Sequence, residues 1–220
     1  MRKTVVGMVL IWTWLAFENL ALASTSHPWP ARAVPFQAMI ERAAGLYDVP
    51  APVIVTFMKL ESNFRPRSYN PEGVRAMKSW ACDVAGDSAR WGRCPDYEDA
   101  LEVCRRLRDG ASKSDVLRLW TFGSTGLLQV SAIAARMLGG MPYNAPNSRL
   151  FDPAYNIDKG TRIIAAKAQR LFPLVPHLSV QQWSRVRASY VGGHGIIAQN
   201  PNKADRIAAR FLAMYTTLWG

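Results

Sequence analysis

Pro50-Ala51-Pro52-Val53-Ile54-Val55-Thr56-Phe57-Met58-Lys59-Leu60-Glu61-Ser62-Asn63-Phe64-Arg65-Pro66 is the stretch that decides the fold. Pro50 and Pro52 open a helix, where a missing N–H costs nothing, and Pro66 stops it. The pattern predicts a helix to about Asn63. On its wheel Ile54, Phe57, Glu61 and Phe64 fall at i, i+3, i+7 and i+10, which is one face. Three of the four are apolar, so a carboxyl lies within a buried stripe near the helix C-terminus. Desolvation and the negative end of the helix dipole both disfavour its charged form. A carboxyl that keeps its proton near neutral pH is what a general acid requires. The plainer alternative is that Glu61 reaches solvent or pairs with Arg65, one turn on.

Helical spacing recurs on both sides of this stretch. Phe36, Met39, Ile40, Ala43 and Tyr47 predict a helix before it. Beyond it, residues 66–122 are less regular and hold all three cysteines with Trp80, Trp91 and Trp120. A helix is expected from Tyr97 to Arg108, with Leu101, Cys104 and Leu107 on one side and Asp109-Gly110 at its end. A short one is expected from Ser112 or Ser114 by the same cues. From Gly126, Leu127, Leu128, Ile133, Ala134, Met137 and Leu138 suggest a helix that Gly139-Gly140 ends. Asp152-Pro153 caps the next, with Ile157, Ile164, Ala168 and Leu171 on one stripe. Ser179 and Gln182 form a capping box for a helix carrying Val180, Trp183, Arg187 and Tyr190. Asn202 begins the last, with Ile207, Phe211, Tyr215 and Leu218. With no run of alternating strands and no repeat, the class is all-α with one irregular insertion.

The 220 residues, 49% hydrophobic and 20% charged, suffice for one folded domain and exclude a disordered or collagen-like chain. Arg2 and Lys3, an apolar run from Thr4 to Phe17 and Ala21-Leu22-Ala23 before Ser24 read as a secretory signal peptide over residues 1–23. That run is short for a spanning helix, and no other segment is apolar enough to cross a bilayer. Residues 24–35, with Pro28, Pro30 and Pro35, read as a linker, and residues 36–220 as the folded domain. The protein is thus expected in the periplasm or secreted. Net charge is +11, and cleavage would remove two positive charges and one negative one. Such a chain suits an acidic polymer. The scattered basic residues lack the interleaved aromatics of a nucleic-acid track, so nucleic acid is not expected as a partner.

Four segments carry a family resemblance. Glu61-Ser62-Asn63-Phe64-Arg65-Pro66 resembles the E-S-x-F-x-P signature of lytic transglycosylases with a goose-type lysozyme-like fold. Gly126-Leu127-Leu128-Gln129-Val130 is similar to that family's G-L-M-Q-[IV] segment. Leu150-Phe151-Asp152-Pro153 with Asn156, Ile157 and Gly160 resembles its L-x-D-P-x-x-N-I-x-x-G run, and Ser189-Tyr190-Val191-Gly192-Gly193 its A-Y-N-A-G element. They occur in the family's order over residues 36–220. Two departures stand out. Val191 replaces the usual asparagine, and the first two motifs, much closer together in the family, lie 68 residues apart from Glu61 to Gln129.

The resemblance implies roles residue by residue. Glu61 would be the catalytic acid and then base. Ser62 would lie beside the cleavage site, and Gln129, just inside its helix, would contact the sugar. Tyr190 would hydrogen-bond near Glu61 and orient it. Gly126 would allow close backbone approach, and Leu128 and Gly192 complete the substrate-binding set. Asp152, Pro153 and Asn156 look structural. The implied substrate is the glycan strand of peptidoglycan, cut between N-acetylmuramic acid and N-acetylglucosamine to leave a 1,6-anhydro sugar. Hydrolysis on the same fold, or wall binding without catalysis, are the alternatives. A wall-spanning secretion, conjugation or phage machine is the kind of partner that local wall opening would serve.

No cofactor is implied. Many glycosidases use two carboxyls, but Asp152 reads as a cap and Asp158 as part of a solvated face, leaving Glu72 and Asp83 as outside candidates. His27, His177 and His194 lack ligand spacing, so no metal is expected, and a Cys–His pair using His194 has no supporting motif. Outside the cytoplasm one disulfide is expected among Cys82, Cys94 and Cys104. The loop-like surroundings of Cys94, next to Pro95, favour a bridge that includes it.

Overall fold

The computed structural model describes residues 28–71, 81–94, 97–112 and 123–220. Residues 1–27, which include the segment expected to be a signal peptide and His27, lie outside them, as do Glu72, Trp80, Pro95, Trp120 and most of the short helix expected from Ser112 or Ser114. Helices dominate. They are α1 (Gln37–Tyr47), α2 (Ala51–Ser62), α3 (Ser88–Trp91), α4 (Tyr97–Arg108), α5 (Ala132–Met137), α6 (Pro153–Leu171), α7 (Val180–Gly192), α8 (Ile196–Gln199) and α9 (Pro201–Trp219). The all-α, lysozyme-like class holds, with one addition. A small antiparallel sheet runs in the order β1 (Tyr69–Pro71), β2 (Gly123–Thr125), β3 (Val130–Ser131). Strands of two or three residues are too short to show an alternating pattern.

The capping residues act as their chemistry requires. The Asp152 side chain accepts from the Tyr155 N–H, with Pro153 at the first helical position of α6. Ser179 and Gln182 make the reciprocal capping box of α7. The last helix starts at Pro201, one residue earlier than expected, because Asn200 supplies the cap and Pro201 follows it.

α2 is the centre of the packing. Its residues from Pro52 to Met58 are all buried, so this helix is apolar nearly all round rather than on one stripe. It contacts α1 and α9, and α9 also runs along α7. Phe57 meets Phe211 of α9 edge-on at 5.5 Å, and Tyr190 of α7 at 5.3 Å. Each fully buried side chain of this size contributes roughly 1.5–3 kcal/mol. At the outer end of α9, Trp219 Nε1 donates to Thr56 Oγ1 at 3.3 Å and its ring packs edge-on against Trp29. Ala33 is fully buried, so the last part of the segment expected to be a linker packs onto the domain.

Beyond β1 the described part of the insertion is mainly helical. Residues 81–86, α3 and α4 bury Ala81, Val84, Trp91, Ala100, Val103 and Leu107 in a core continuous with the rest. Trp91 meets Tyr143 at 5.0 Å, and Arg90 Nε donates to the Tyr143 hydroxyl at 2.7 Å. The disulfide joins Cys82 to Cys104, with Cα atoms 4.9 Å apart. Cys94 is buried outside the bridge, which corrects the expectation that it takes part. Cys104 is on the buried face of α4, where the bridge ties it to Cys82 of the 81–86 helix, and sequence spacing could not reveal that contact.

Candidate active site

Glu61 is the penultimate residue of α2. The helix ends because Asn63 and then Phe64 take left-handed backbone angles, with φ of 51° and 64°. Lys59 Nζ holds the Asn63 side chain at 2.7 Å. Phe64 is therefore buried, as its place in the stripe suggested, but from the turn after the helix.

The segment Gly126-Leu127-Leu128-Gln129 faces this helix end. It is not helical. It is a tight turn between β2 and β3, and α5 begins only at Ala132. Gly126 has φ +78°, and a Cβ there would run into the Asn156 amide and the Leu150 carbonyl. Gln129 also takes a left-handed φ, 48°, and is nearly buried. This corrects its expected position just inside a helix. Its Nε2 donates to the carbonyls of Gly126 at 2.9 Å and Ser68 at 3.1 Å, so its amide folds back to brace the turn.

Side chains from all four motifs meet on this turn. Asn156 Nδ2 donates to the Thr125 carbonyl at 2.8 Å and the Leu150 carbonyl at 2.9 Å, while its Oδ1 accepts from the Leu128 N–H at 2.8 Å. Ser62 Oγ donates to the Leu127 carbonyl at 2.8 Å. The Tyr190 hydroxyl donates to the Leu128 carbonyl at 2.7 Å. Four successive carbonyls, from Thr125 to Leu128, thus each accept from a named side chain. Buried carbonyls without partners cost free energy, so these bonds fix the turn against the end of α2. Leu128 is fully buried, and Gly160 of α6 leaves room for its side chain.

One partner of Glu61 was missed by the sequence. Arg187 Nη1 lies 2.9 Å from Glu61 Oε1, with side chains 8% and 16% exposed. Arg187 sits three residues before Tyr190 on α7, and its guanidinium lies over the Phe57 ring at 5.3 Å. A charged residue between Trp183 and Tyr190 on an apolar stripe was the same kind of signal that marked Glu61. Burial lowers the Arg187 pKa, and the Glu61 carboxylate pulls against that. Burial raises the Tyr190 pKa, and Glu61 adds to the rise, so Tyr190 stays a neutral donor. Arg65, the alternative partner, is exposed.

The remaining candidates lie elsewhere. Gly192 closes α7, where a Cβ would meet the Ile196 side chain, and Val191 is 48% exposed on its outer side. Asp158 is not simply solvated. It accepts from the Tyr47 hydroxyl at 2.7 Å and pairs with Lys159 at 2.8 Å, tying α1 to α6. Asp83 and His194 are exposed. Among the described residues no group of His, Cys, Asp and Glu could hold a metal ion, and no helix is long and apolar enough to cross a membrane. A groove of about 820 Å³ between α1, α6 and Trp183 does not include Glu61, so size alone does not find the site.

A family model matches residues 38–212 as the Transglycosylase SLT domain. The chain belongs to that family. No curated protein matches it. The SLT domain spans most of the described chain and includes the disulfide-bearing insertion. Its function is in general that of a lytic transglycosylase-like domain acting on peptidoglycan.

Proposed function

We propose that this SLT domain cleaves the bond between N-acetylmuramic acid and N-acetylglucosamine and leaves a 1,6-anhydro end. Glu61 is the general acid and then the base. The observation that carries this is the placement of Glu61 at the end of α2, mostly out of water, against a turn fixed by the other three motifs.

Glu61 gives its proton to the glycosidic oxygen as the bond from that oxygen to C1 breaks. The N-acetylglucosamine side leaves as an alcohol. The acetamido oxygen of the muramic acid stabilises the positive C1, so no protein nucleophile is required. Glu61, now ionised, takes the proton of the C6 hydroxyl, and O6 bonds to C1. The carboxyl ends protonated, and no water is consumed. Attack within one ring carries a high effective molarity, which favours it over water. The engagement of Asp152 as a cap and of Asp158 with Tyr47 and Lys159 is consistent with a single catalytic carboxyl.

The site of action is proposed to be the periplasm or cell exterior. The leader-like residues 1–23 support this, and so does the Cys82–Cys104 bridge, since disulfides persist in oxidising compartments. Service to a wall-spanning machine is compatible with such an enzyme. Mass spectrometry of digested sacculi tests the reaction. Products one water lighter than the hydrolysed disaccharide are expected, and reducing muramic acid ends alone would make the protein a muramidase.

A further inference from the structure

The expected acid needs a proton, yet the group packed against it is a cation. Arg187 is nearly buried, its charge lies over Phe57, and its Nη1 is 2.9 Å from Glu61 Oε1. A guanidinium at that distance favours the ionised carboxyl, because the attraction exists only when Glu61 is charged. This opposes the two effects read from α2 itself, burial and the helix C-terminus. Tyr190, one turn along α7, also acts on both members of the pair, and Arg210 of α9 acts on Arg187. Tyr190 is neutral and its hydroxyl donates a hydrogen bond to the Leu128 carbonyl, and Arg210 is exposed. Neither replaces Arg187 as the close counter-charge.

The contact has a further property. Arg187 Nε and Nη1 are buried and make no hydrogen bond, although Nη1 is close to the carboxylate. The pair is held by charge without the alignment of a hydrogen-bonded fork. The guanidinium therefore acts on Glu61 through its charge.

We infer that Arg187 is a positioning residue that holds Glu61 ionised in the free enzyme and so confines proton donation to the acidic side of neutrality. The inference rests on Glu61 being the proton donor. Activity of a general acid falls as pH rises through the point where the acid ionises. Arg187 moves that point down, so its removal moves the alkaline limb of the pH profile up. An opposite charge this close commonly shifts a carboxyl by about one to three units.

The test is kcat/KM for release of soluble fragments from purified sacculi, measured against pH for wild type, Arg187→Met, Arg187→Lys and Glu61→Gln. The alkaline limb of Arg187→Met is expected at least about one pH unit above that of wild type, and Arg187→Lys, which keeps the charge, is expected to restore much of the difference. If Arg187→Met lowers activity equally at every pH, Arg187 is only structural and the inference is overturned. Should Arg187→Met fail to fold, carbon-13 spectra of the wild-type carboxyls, with Glu61 assigned from Glu61→Gln, carry the test. Glu61 is expected to be ionised at about pH 6, where a buried carboxyl lacking a cation keeps its proton, and a protonated Glu61 overturns the inference. A fully active Glu61→Gln would instead sink the catalytic role of Glu61 and leave the Arg187 contact without that purpose.

Discussion

Arg187 and Glu61, 126 residues apart in the chain, place opposite charges 2.9 Å apart at the meeting of α7 and α2. Both side chains are mostly withdrawn from water. Neither was solvated by choice of position, since each interrupts an otherwise apolar stripe. Removing one partner of a buried pair strands the other, and the penalty is commonly about 3–5 kcal/mol.

That gives a stability test. Glu61→Gln is expected to lower unfolding free energy by about 3 kcal/mol, because Arg187 keeps its charge. The double variant Glu61→Gln/Arg187→Met is expected to lose less than the sum of the single losses, by about 1–3 kcal/mol. Denaturant unfolding of the four proteins measures this, and strict additivity would show that the contact carries no energy.

The turn at Gly126–Gln129 depends on Asn156. Asn156→Ala would leave the Leu128 N–H and the Thr125 and Leu150 carbonyls without that amide. A loss of roughly 3 kcal/mol or more is expected, with a fall in activity beyond the fall in folded fraction. Tyr190→Phe removes one bond to the Leu128 carbonyl, and a smaller loss of about 1–3 kcal/mol is expected. Thermal melts in parallel with wall-digestion rates check both. An Asn156→Ala protein as stable as wild type would mean that the turn stands without its amide.

Cys82 and Cys104 close the insertion. Three cysteines with one bridge leave one thiol, so denatured, unreduced protein should titrate one thiol per chain. Cys94→Ser should abolish that signal. Cys104→Ser is expected to destabilise the protein by about 3 kcal/mol, as loss of a loop this long commonly does. A Cys94→Ser protein that still titrates one thiol would contradict the pairing.

Asp158 provides a pH test away from the catalytic carboxyl. Burial pushes its pKa up, but the bonds from Lys159 and Tyr47 outweigh that and leave it below the ordinary value. A depressed carboxyl contributes stability above its unfolded value of about 3.9, and loses it as pH falls through the lower folded value. Unfolding of Asp158→Asn should therefore lose less stability on acidification below about pH 4 than wild type does. Parallel acid-limb curves would exclude this role.

What could be read from the chain depended on range. Asp152-Pro153 and Ser179 with Gln182 act within one turn, and their helices begin where the sequence put them. Glu61 was visible because one carboxyl among apolar residues breaks a local pattern. The turn at Gln129 was hidden because Leu127 and Leu128 are buried as helix residues would be. The positive φ of Gly126 and Gln129 makes the segment turn instead. The Arg187 contact and the Cys82–Cys104 bridge join separate helices, and neither contact leaves a mark in spacing.

The most direct measurement is digestion of purified sacculi by wild type and Glu61→Gln at equal folded concentration, with soluble fragments quantified by mass spectrometry. Wild type should release anhydro-ended fragments, and Glu61→Gln should release them at least about a hundredfold more slowly. Equal release by the two proteins would contradict the assignment of Glu61 as the group that moves the proton.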